Sequence, residues 1–280
     1  MDKARYLIIG NSVAAVNCVE AIRSIDKTNG ITIVSDEEVY NYSRPLLSYY
    51  LGGRITQEKL SFVDEGFYKK HGVNLILGKK ATGLDVSKKE VVLDDNAVIC
   101  YDKCLLSVGG VPIIPPIKGF QEDLDGVFTF LQLKEAQNLI RYIEKEGVEE
   151  AVVLGGGLIG LKAVEGLVER GLKTTVIEIM PRILANTFDK EASSIIEDRL
   201  AQGGCKVIKE DTIYSIETEE GKIARIFLRS GKELTASLLI IAIGVRPNLE
   251  LIKETSVKSD RGILVDRFMR TNVKDVYAAG

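Results

Sequence analysis

Apolar residues along this chain fall in short runs that stop at glycine, and two of these runs begin the same succession of elements. Tyr6-Leu7-Ile8-Ile9 ends at Gly10, a helical stretch follows to about Lys27, and Ile31-Thr32-Ile33-Val34-Ser35-Asp36 is the next run. Ala151-Val152-Val153-Leu154 ends at Gly155, a helical stretch follows to Arg170-Gly171, and Thr174-Thr175-Val176-Ile177-Glu178 comes next. An apolar run without alternation, bounded by turn residues, reads as a buried strand, so each copy predicts a strand–helix–strand unit of a parallel sheet.

The elements after each unit repeat as well. In the first half a helical, charged segment around Gln57 to His71 leads to short strands at Val73 to Leu77, Ala81 to Val86, Val91 to Leu93 and Cys104 to Val108. In the second half the strands are Lys206 to Lys209, Ile213 to Glu217, Ile223 to Leu228 and Leu238 to Ile243, set apart by Glu219-Glu220-Gly221 and Ser230-Gly231. The Gly10-to-Gly109 and Gly155-to-Gly244 intervals thus carry one element order, as a duplicated domain would. Val111-Pro112-Ile113-Ile114-Pro115-Pro116-Ile117 reads as a stiff extended crossover, and Val245-Arg246-Pro247-Asn248 as the return. The expected architecture is α/β, with two Rossmann-like domains of three layers, each a parallel sheet plus an antiparallel meander. The first domain takes residues 1–115 and 246–280, and the second 116–245.

Charge and cysteine usage narrow the partners. A net charge of −3 and a pI near 5.5 argue against a nucleic-acid or anionic-membrane footprint. No apolar run reaches the roughly 18 residues that span a bilayer, and charged Asp2, Lys3 and Arg5 precede the first strand, so a cytoplasmic protein is expected. Cys18, Cys100, Cys104 and Cys205 lack metal-ligand spacing; Cys18 and Cys104 read as buried inert thiols, and His71 as a residue at a helix C-terminus.

The two glycine turns carry the chemistry. In a dinucleotide-binding βαβ unit the first glycine permits the turn, the second lets a pyrophosphate approach the backbone, and the third brings the helix against the strand. Gly155, Gly157 and Gly160 fill these places in Gly155-Gly156-Gly157-Leu158-Ile159-Gly160. Glu178, 23 residues after Gly155, stands where a carboxylate accepts from ribose hydroxyls and repels a 2′-phosphate, which favours NAD over NADP; Arg182 in the next loop leaves some tolerance. In Gly10-Asn11-Ser12-Val13-Ala14-Ala15 two glycines are replaced, but Ser12 can donate to a phosphate and the alanines keep the helix close. Ser35 holds the strand end, and either Asp36 or Glu37 binds the ribose there.

These turns, with Tyr42-Ser43-Arg44-Pro45-Leu46-Leu47-Ser48, Leu105-Leu106-Ser107-Val108-Gly109-Gly110-Val111-Pro112, Ile241-Ala242-Ile243-Gly244-Val245-Arg246-Pro247-Asn248 and Val276-Tyr277-Ala278-Ala279-Gly280, resemble the pyridine nucleotide-disulfide oxidoreductase superfamily. The likeness is to its members without a redox disulfide: rubredoxin reductases, nitrite reductase flavin domains and ferredoxin reductases. The resemblance implies FAD in the first domain and NAD(P)H in the second, with the nicotinamide on the flavin at the domain interface. It assigns Gly10, Ser12, Val13, Ala14, Ser43, Arg44, Pro45, Ala81, Ser107, Val108 and Gly109 to FAD, and Gly155, Gly157, Leu158, Ile159, Gly160, Glu178, Arg182, Ile243 and Gly244 to NAD.

Departures from that pattern shape the expected chemistry. Asn41 through Leu47 hold no cysteine, so a thiol relay at the flavin is not expected. A lysine and a glutamate that relatives pair near the flavin are here Tyr49 and Lys162, and Lys162 is either the one candidate catalytic side chain, stabilising an anionic reduced flavin, or a solvent-facing helix lysine. A cofactor-binding arginine of relatives is here Leu131. The family continues past Gly280 into an aspartate and an interface domain that forms the dimer, so the expectation is a truncated chain with FAD retention and dimerisation in question. The expected activity is hydride transfer from NADH to FAD and on to a carrier such as rubredoxin, ferredoxin or a nitrite reductase centre. Lys69-Lys70, Lys79-Lys80 and Lys88-Lys89 are either ordinary solvated lysines, the reading favoured, or a docking surface for an acidic carrier. The alternatives are an NADH oxidase making hydrogen peroxide and an NADH-responsive sensor or interaction protein.

Overall fold

The apolar run that ends at Gly10 becomes the strand Asp2–Ile9, around which the first sheet is built in the computed structural model, which describes residues 2–121 and 123–280. It pairs in parallel with Ile31–Val34 on one side and Val98–Leu106 on the other, and Val73–Ile76 extends the sheet beyond Ile31–Val34. Val98–Leu106 has two partners in succession on its far edge. Its first half pairs antiparallel with Glu90–Leu93, itself paired with Ala81–Asp85; its second half pairs in parallel with Val276–Ala278.

That division explains why the strand begins six residues before Cys104, where the apolar run starts. Ile99 and Tyr101 are buried while Val98, Cys100 and Asp102 are half-buried, the alternation of a meander strand; Cys104, Leu105 and Leu106 are all buried, as in a strand covered on both faces. Leu7 and Ile9 pack with Val91, Leu93, Ile99 and Val276 on one face of the sheet, and Ile8 packs with Ala15, Val19, Ile31 and Ile33 on the other. The charged segment expected as one helix over 57–71 is a 3-10 turn at Gln57–Leu60 and a separate helix Glu65–Lys70. Asp64 starts the latter by accepting from the Phe67 backbone N–H at 3.1 Å, and Lys69 and Lys70 face its negative end.

The second sheet has the order Lys206–Lys209, Lys173–Glu178, Glu150–Leu154, Leu239–Ile241, Val127–Phe128, all parallel. An antiparallel meander of Ile213–Glu219, Lys222–Leu228 and Glu233–Thr235 packs Ile216, Ile226 and Leu228 against Val152, Leu154 and Ile177 of that sheet. Helix Lys190–Gln202 is capped by Asp189, and Leu133–Glu146 by a box of Gln132 and Glu135.

By contact density the chain divides into two units, one of residues to Tyr42, Ser61–Val111 and Arg246–Gly280, the other of Ser43–Leu60 and Pro112–Val245. Residues 43–60, which the sequence assigned to the first domain, therefore gather with the second unit. The cause is local packing: a Cβ on Gly166 would stand 2.8 Å from Leu51 Cγ, so only glycine lets helix Leu47–Leu51 lie so close to helix Leu158–Glu169. The Arg170 guanidinium donates to the Leu51 carbonyl, and Arg54 pairs with Glu169.

Within the first unit Asp275 ties the last strand to the meander, receiving Lys89 at 2.6 Å and Lys103 at 2.9 Å. Those two ammonium groups hold its carboxyl down at about 2. Because the folded pKa lies below the unfolded value of about 3.9, the stabilisation is present above that value and is lost as pH falls through about 2. Asp275 has φ +66°, which asparagine tolerates, so Asp275→Asn isolates the charge. We expect it to cost about 1 kcal/mol near pH 6. Melts of both proteins should show the gap narrowing steadily below pH 4; a pH-independent gap would assign the loss to something other than the ion pairs.

Candidate functional site

In the second unit the strand Glu150–Leu154 delivers Gly155 to a turn with φ +115°, where an added Cβ would lie 2.4 Å from the Ala242 carbonyl oxygen. A Cβ on Gly160 would lie 2.0 Å from the Gly155 oxygen, so Gly160 sits behind the turn and sets how close the helix comes. Gly157 differs from both: an added Cβ there meets nothing within 4 Å. It is the N-cap of helix Leu158–Glu169, without a side-chain cap and with no acid in the first turn. Backbone N–H groups at such a helix start, with the positive end of the dipole behind them, suit an anion.

Glu178 ends the neighbouring strand and is oriented by two backbone donors, Gly156 N–H at 2.7 Å and Met180 N–H at 2.8 Å, leaving further lone pairs on each oxygen. Gly155, Gly157, Leu158, Ile159, Glu178, Ile243 and Gly244 all line one cavity of about 690 Å³. The structure adds residues that the motif does not contain: Pro115 and Pro116 of the crossover, Ile179 and Met180 after Glu178, and Thr212 and Arg229 from the meander. Gly156 was also absent from the expected set. Its N–H holds Glu178, its carbonyl accepts from Leu184 N–H at 2.9 Å, and a Cβ on it would meet Ile183 at 2.9 Å. Arg182 is not among the cavity residues: its Nη2 donates to the Ala185 carbonyl at 3.1 Å and the Phe188 carbonyl at 3.4 Å, spanning its own loop.

The first turn is built alike. Gly10 has φ +99°, and a Cβ there would stand 2.2 Å from the Ser107 carbonyl oxygen. Ser107, buried, donates through both its N–H and its hydroxyl to the Ile9 carbonyl, and this brings the turn before Val108 and the open Gly109 against Gly10. Ser12 is the N-cap of helix Val13–Ile25 and makes no capping bond with its hydroxyl; Ala14 follows in the first turn. Ser35 is buried at the end of Ile31–Val34; its carbonyl accepts from Lys79 N–H at 2.9 Å, which brings Ala81 near it. Asp36 is exposed, and Glu37 accepts from the Tyr42 hydroxyl at 2.6 Å.

A polar cluster beside this turn escaped the sequence. Asn41 Nδ2 donates to the Asn11 carbonyl at 2.8 Å and the Tyr68 hydroxyl donates to Asn11 Oδ1 at 2.9 Å, while Asn11 Nδ2 and Asn41 Oδ1 are buried with no partner among the described residues. A buried amide donor left open beside a helix N-terminus fits a phosphate-bearing group such as the FAD pyrophosphate.

The remaining candidates lie elsewhere. Ser43 precedes, and Arg44 and Pro45 begin, the 3-10 turn Arg44–Leu46 in the second unit, where Arg44 donates to the Leu131 carbonyl at 2.8 Å. Lys162 pairs with Glu165 and stands 4.8 Å from the ring centre of Tyr49, so the two departures from the family pattern are in contact. Burial pushes the Cys104 thiol up to about 12 and Cys205 to about 11, which leaves neither reactive. His71 caps its helix and packs on Phe67 at 4.6 Å.

A sequence profile of the pyridine nucleotide-disulphide oxidoreductase family matches residues 4–280. The chain belongs to this family. It is 32% identical over 281 residues to the assimilatory nitrate reductase electron transfer subunit of Bacillus subtilis, covering 100% of this chain and 36% of that protein. It is 31% identical to the rubredoxin-NAD(+) reductase of Pseudomonas putida, covering 98% of this chain and 70% of that one. The ferredoxin reductase structure from Rhodopseudomonas palustris superposes with a TM-score of 0.90 at 25% identity, over 100% of this chain and 68% of that one. The chain thus spans about a third of the first of these relatives. No helix among the described residues is long and apolar enough to cross a membrane.

Proposed function

We propose that this chain binds FAD and NADH and serves an oxidoreductase in which hydride from NADH is passed on as electrons to a carrier protein. The observation that carries this reading is the repeated anion-binding turn, one per unit, each with a glycine that admits no side chain and an uncapped helix start. Bound FAD supplies acceptance of a hydride and its release as single electrons. Around it the chain's own groups bind and orient: the Val13 and Ala14 N–H groups, the Ser12 hydroxyl and the open Asn11 amide at the pyrophosphate, and Asp36 or Glu37 at the ribose. In the second unit the helix start at Gly157 holds the nicotinamide dinucleotide's phosphates, and Glu178 its adenosine ribose, which favours NADH over NADPH.

A carrier protein as acceptor is supported by the absence of cysteine between Asn41 and Leu47 and by the likeness to a rubredoxin reductase and a ferredoxin reductase. The test is reconstitution of the full chain with FAD, removal of free flavin, and anaerobic addition of NADH. Retained yellow colour, bleaching by NADH and recovery on adding oxidised rubredoxin or ferredoxin are expected. Recovery only in air, with hydrogen peroxide formed, would replace the carrier by oxygen. A colourless protein with no affinity for NADH would end the reading altogether.

A further inference from the structure

Among the described residues, the cavity of the second unit has one cation on its wall, Arg229, which no part of the glycine motif accounts for. Arg229 comes from the tip of the hairpin between Lys222–Leu228 and Glu233–Thr235, about fifty residues beyond Glu178 in sequence, and is exposed. No hydrogen bond or ion pair engages its guanidinium among the described residues. Its backbone, in contrast, is fixed: Arg229 N–H donates to the Thr212 carbonyl at 2.9 Å. Asp211, buried, clamps the same hairpin by accepting from Ser230 N–H at 3.2 Å, from the Ser230 hydroxyl and from Thr212 N–H at 2.9 Å. Burial alone would raise the Asp211 pKa, but these donors outweigh it and hold the carboxyl below its ordinary value. Asp211 N–H in turn donates to the Glu178 carbonyl at 3.2 Å. The strand end that carries the ribose carboxylate and the hairpin that carries Arg229 are therefore joined through one residue.

The same cavity presents Ile179 and Met180, both exposed although apolar. Apolar lining together with a free, planar guanidinium suits a flat, electron-rich heterocycle, on which arginine stacks as well as attracts. Glu178 at the adjoining strand end gives the ribose its place, so the heterocycle beyond it is the adenine.

Resting on the reading of this cavity as a nicotinamide-dinucleotide site, we propose that Arg229 closes the adenine slot by stacking on the base, and that Asp211 positions it. The test is calorimetric titration of the purified full chain with ADP-ribose, 2′-phospho-ADP-ribose and nicotinamide mononucleotide. Arg229→Ala should weaken both ADP-ribose ligands about five- to tenfold and leave the mononucleotide unchanged. Arg229→Lys should recover little, because an ammonium does not stack. Arg229 is exposed, so the variants should fold, which unchanged melting confirms. ADP-ribose binding that R229A leaves intact would overturn this inference and spare the nucleotide reading. A loss confined to the 2′-phospho ligand would make Arg229 a phosphate reader and overturn the stacking. A wild-type chain that binds no ADP-ribose would sink both.

Discussion

Gly155→Ala should abolish nucleotide binding and destabilise the second unit, whereas Gly157→Ala should damage binding alone. The added methyl at 155 has nowhere to go: the backbone sits at φ +115° and the Ala242 carbonyl oxygen lies 2.4 Å from the new Cβ. Strain of this kind costs roughly 2–4 kcal/mol, and any relief must move the turn away from the phosphate position. At 157 the backbone is extended at φ −81° and no atom lies within 4 Å, so alanine fits the protein. A weaker cap is set against a less flexible unfolded chain, leaving stability within about 1 kcal/mol of wild type. The open space that makes the change harmless to folding is the space a pyrophosphate needs. Losing one or two charge-assisted hydrogen bonds there corresponds to about 10- to 100-fold in NADH affinity. Thermal melts and calorimetry on both variants separate the two effects. A G157A chain that binds NADH like wild type would show that the phosphates do not sit at this helix start.

The contrast between these glycines marks what could be read from the sequence. Gly10, Gly155 and Gly160 are legible because the demand on each is local: a turn between strand and helix, and a helix pressed on the strand it left. Glu178 is legible because the length of the intervening helix fixes its distance from the turn. Thr212 and Arg229 enter the cavity through the packing of a meander onto the sheet, a long-range event that leaves no spacing to read. The same holds for Asn11, Asn41 and Tyr68, whose hydrogen bonds connect residues up to 57 positions apart. Residues 43–60 follow the family pattern in sequence, yet their allegiance to the second unit depends on the absence of a side chain at Gly166, far away in the chain. Arg182 shows a different limit. Its position after Glu178 leaves tolerance for a 2′-phosphate in the sequence, whereas in the structure its Nη2 donates to carbonyls of its own loop.

Glu178→Gln should move the preference from NADH toward NADPH with little loss of stability. The carboxylate has one duty in the structure, ordering the turn by accepting from Gly156 and Met180 N–H groups, and a second in the proposed function, accepting from the ribose hydroxyls. Glutamine keeps one acceptor oxygen, enough for the buried Gly156 N–H, while the exposed Met180 N–H can turn to water. Alanine would strand the Gly156 donor and confound the two duties. With the charge gone, a 2′-phosphate no longer meets a repulsion of about 4 kcal/mol for each unit of charge at ~4 Å and an effective dielectric of ~20. NADH in turn loses charge-assisted bonds to its ribose hydroxyls, about tenfold in affinity. The ratio of NADH to NADPH affinity should therefore fall by about 100-fold or more, read as paired titrations with the two nucleotides. This signature differs from that of Arg229, where truncation weakens both nucleotides alike because the adenine is common to them. An unchanged ratio in E178Q would mean that the carboxylate only braces the Gly156 turn, and the source of any nucleotide preference would then lie elsewhere on the cavity wall.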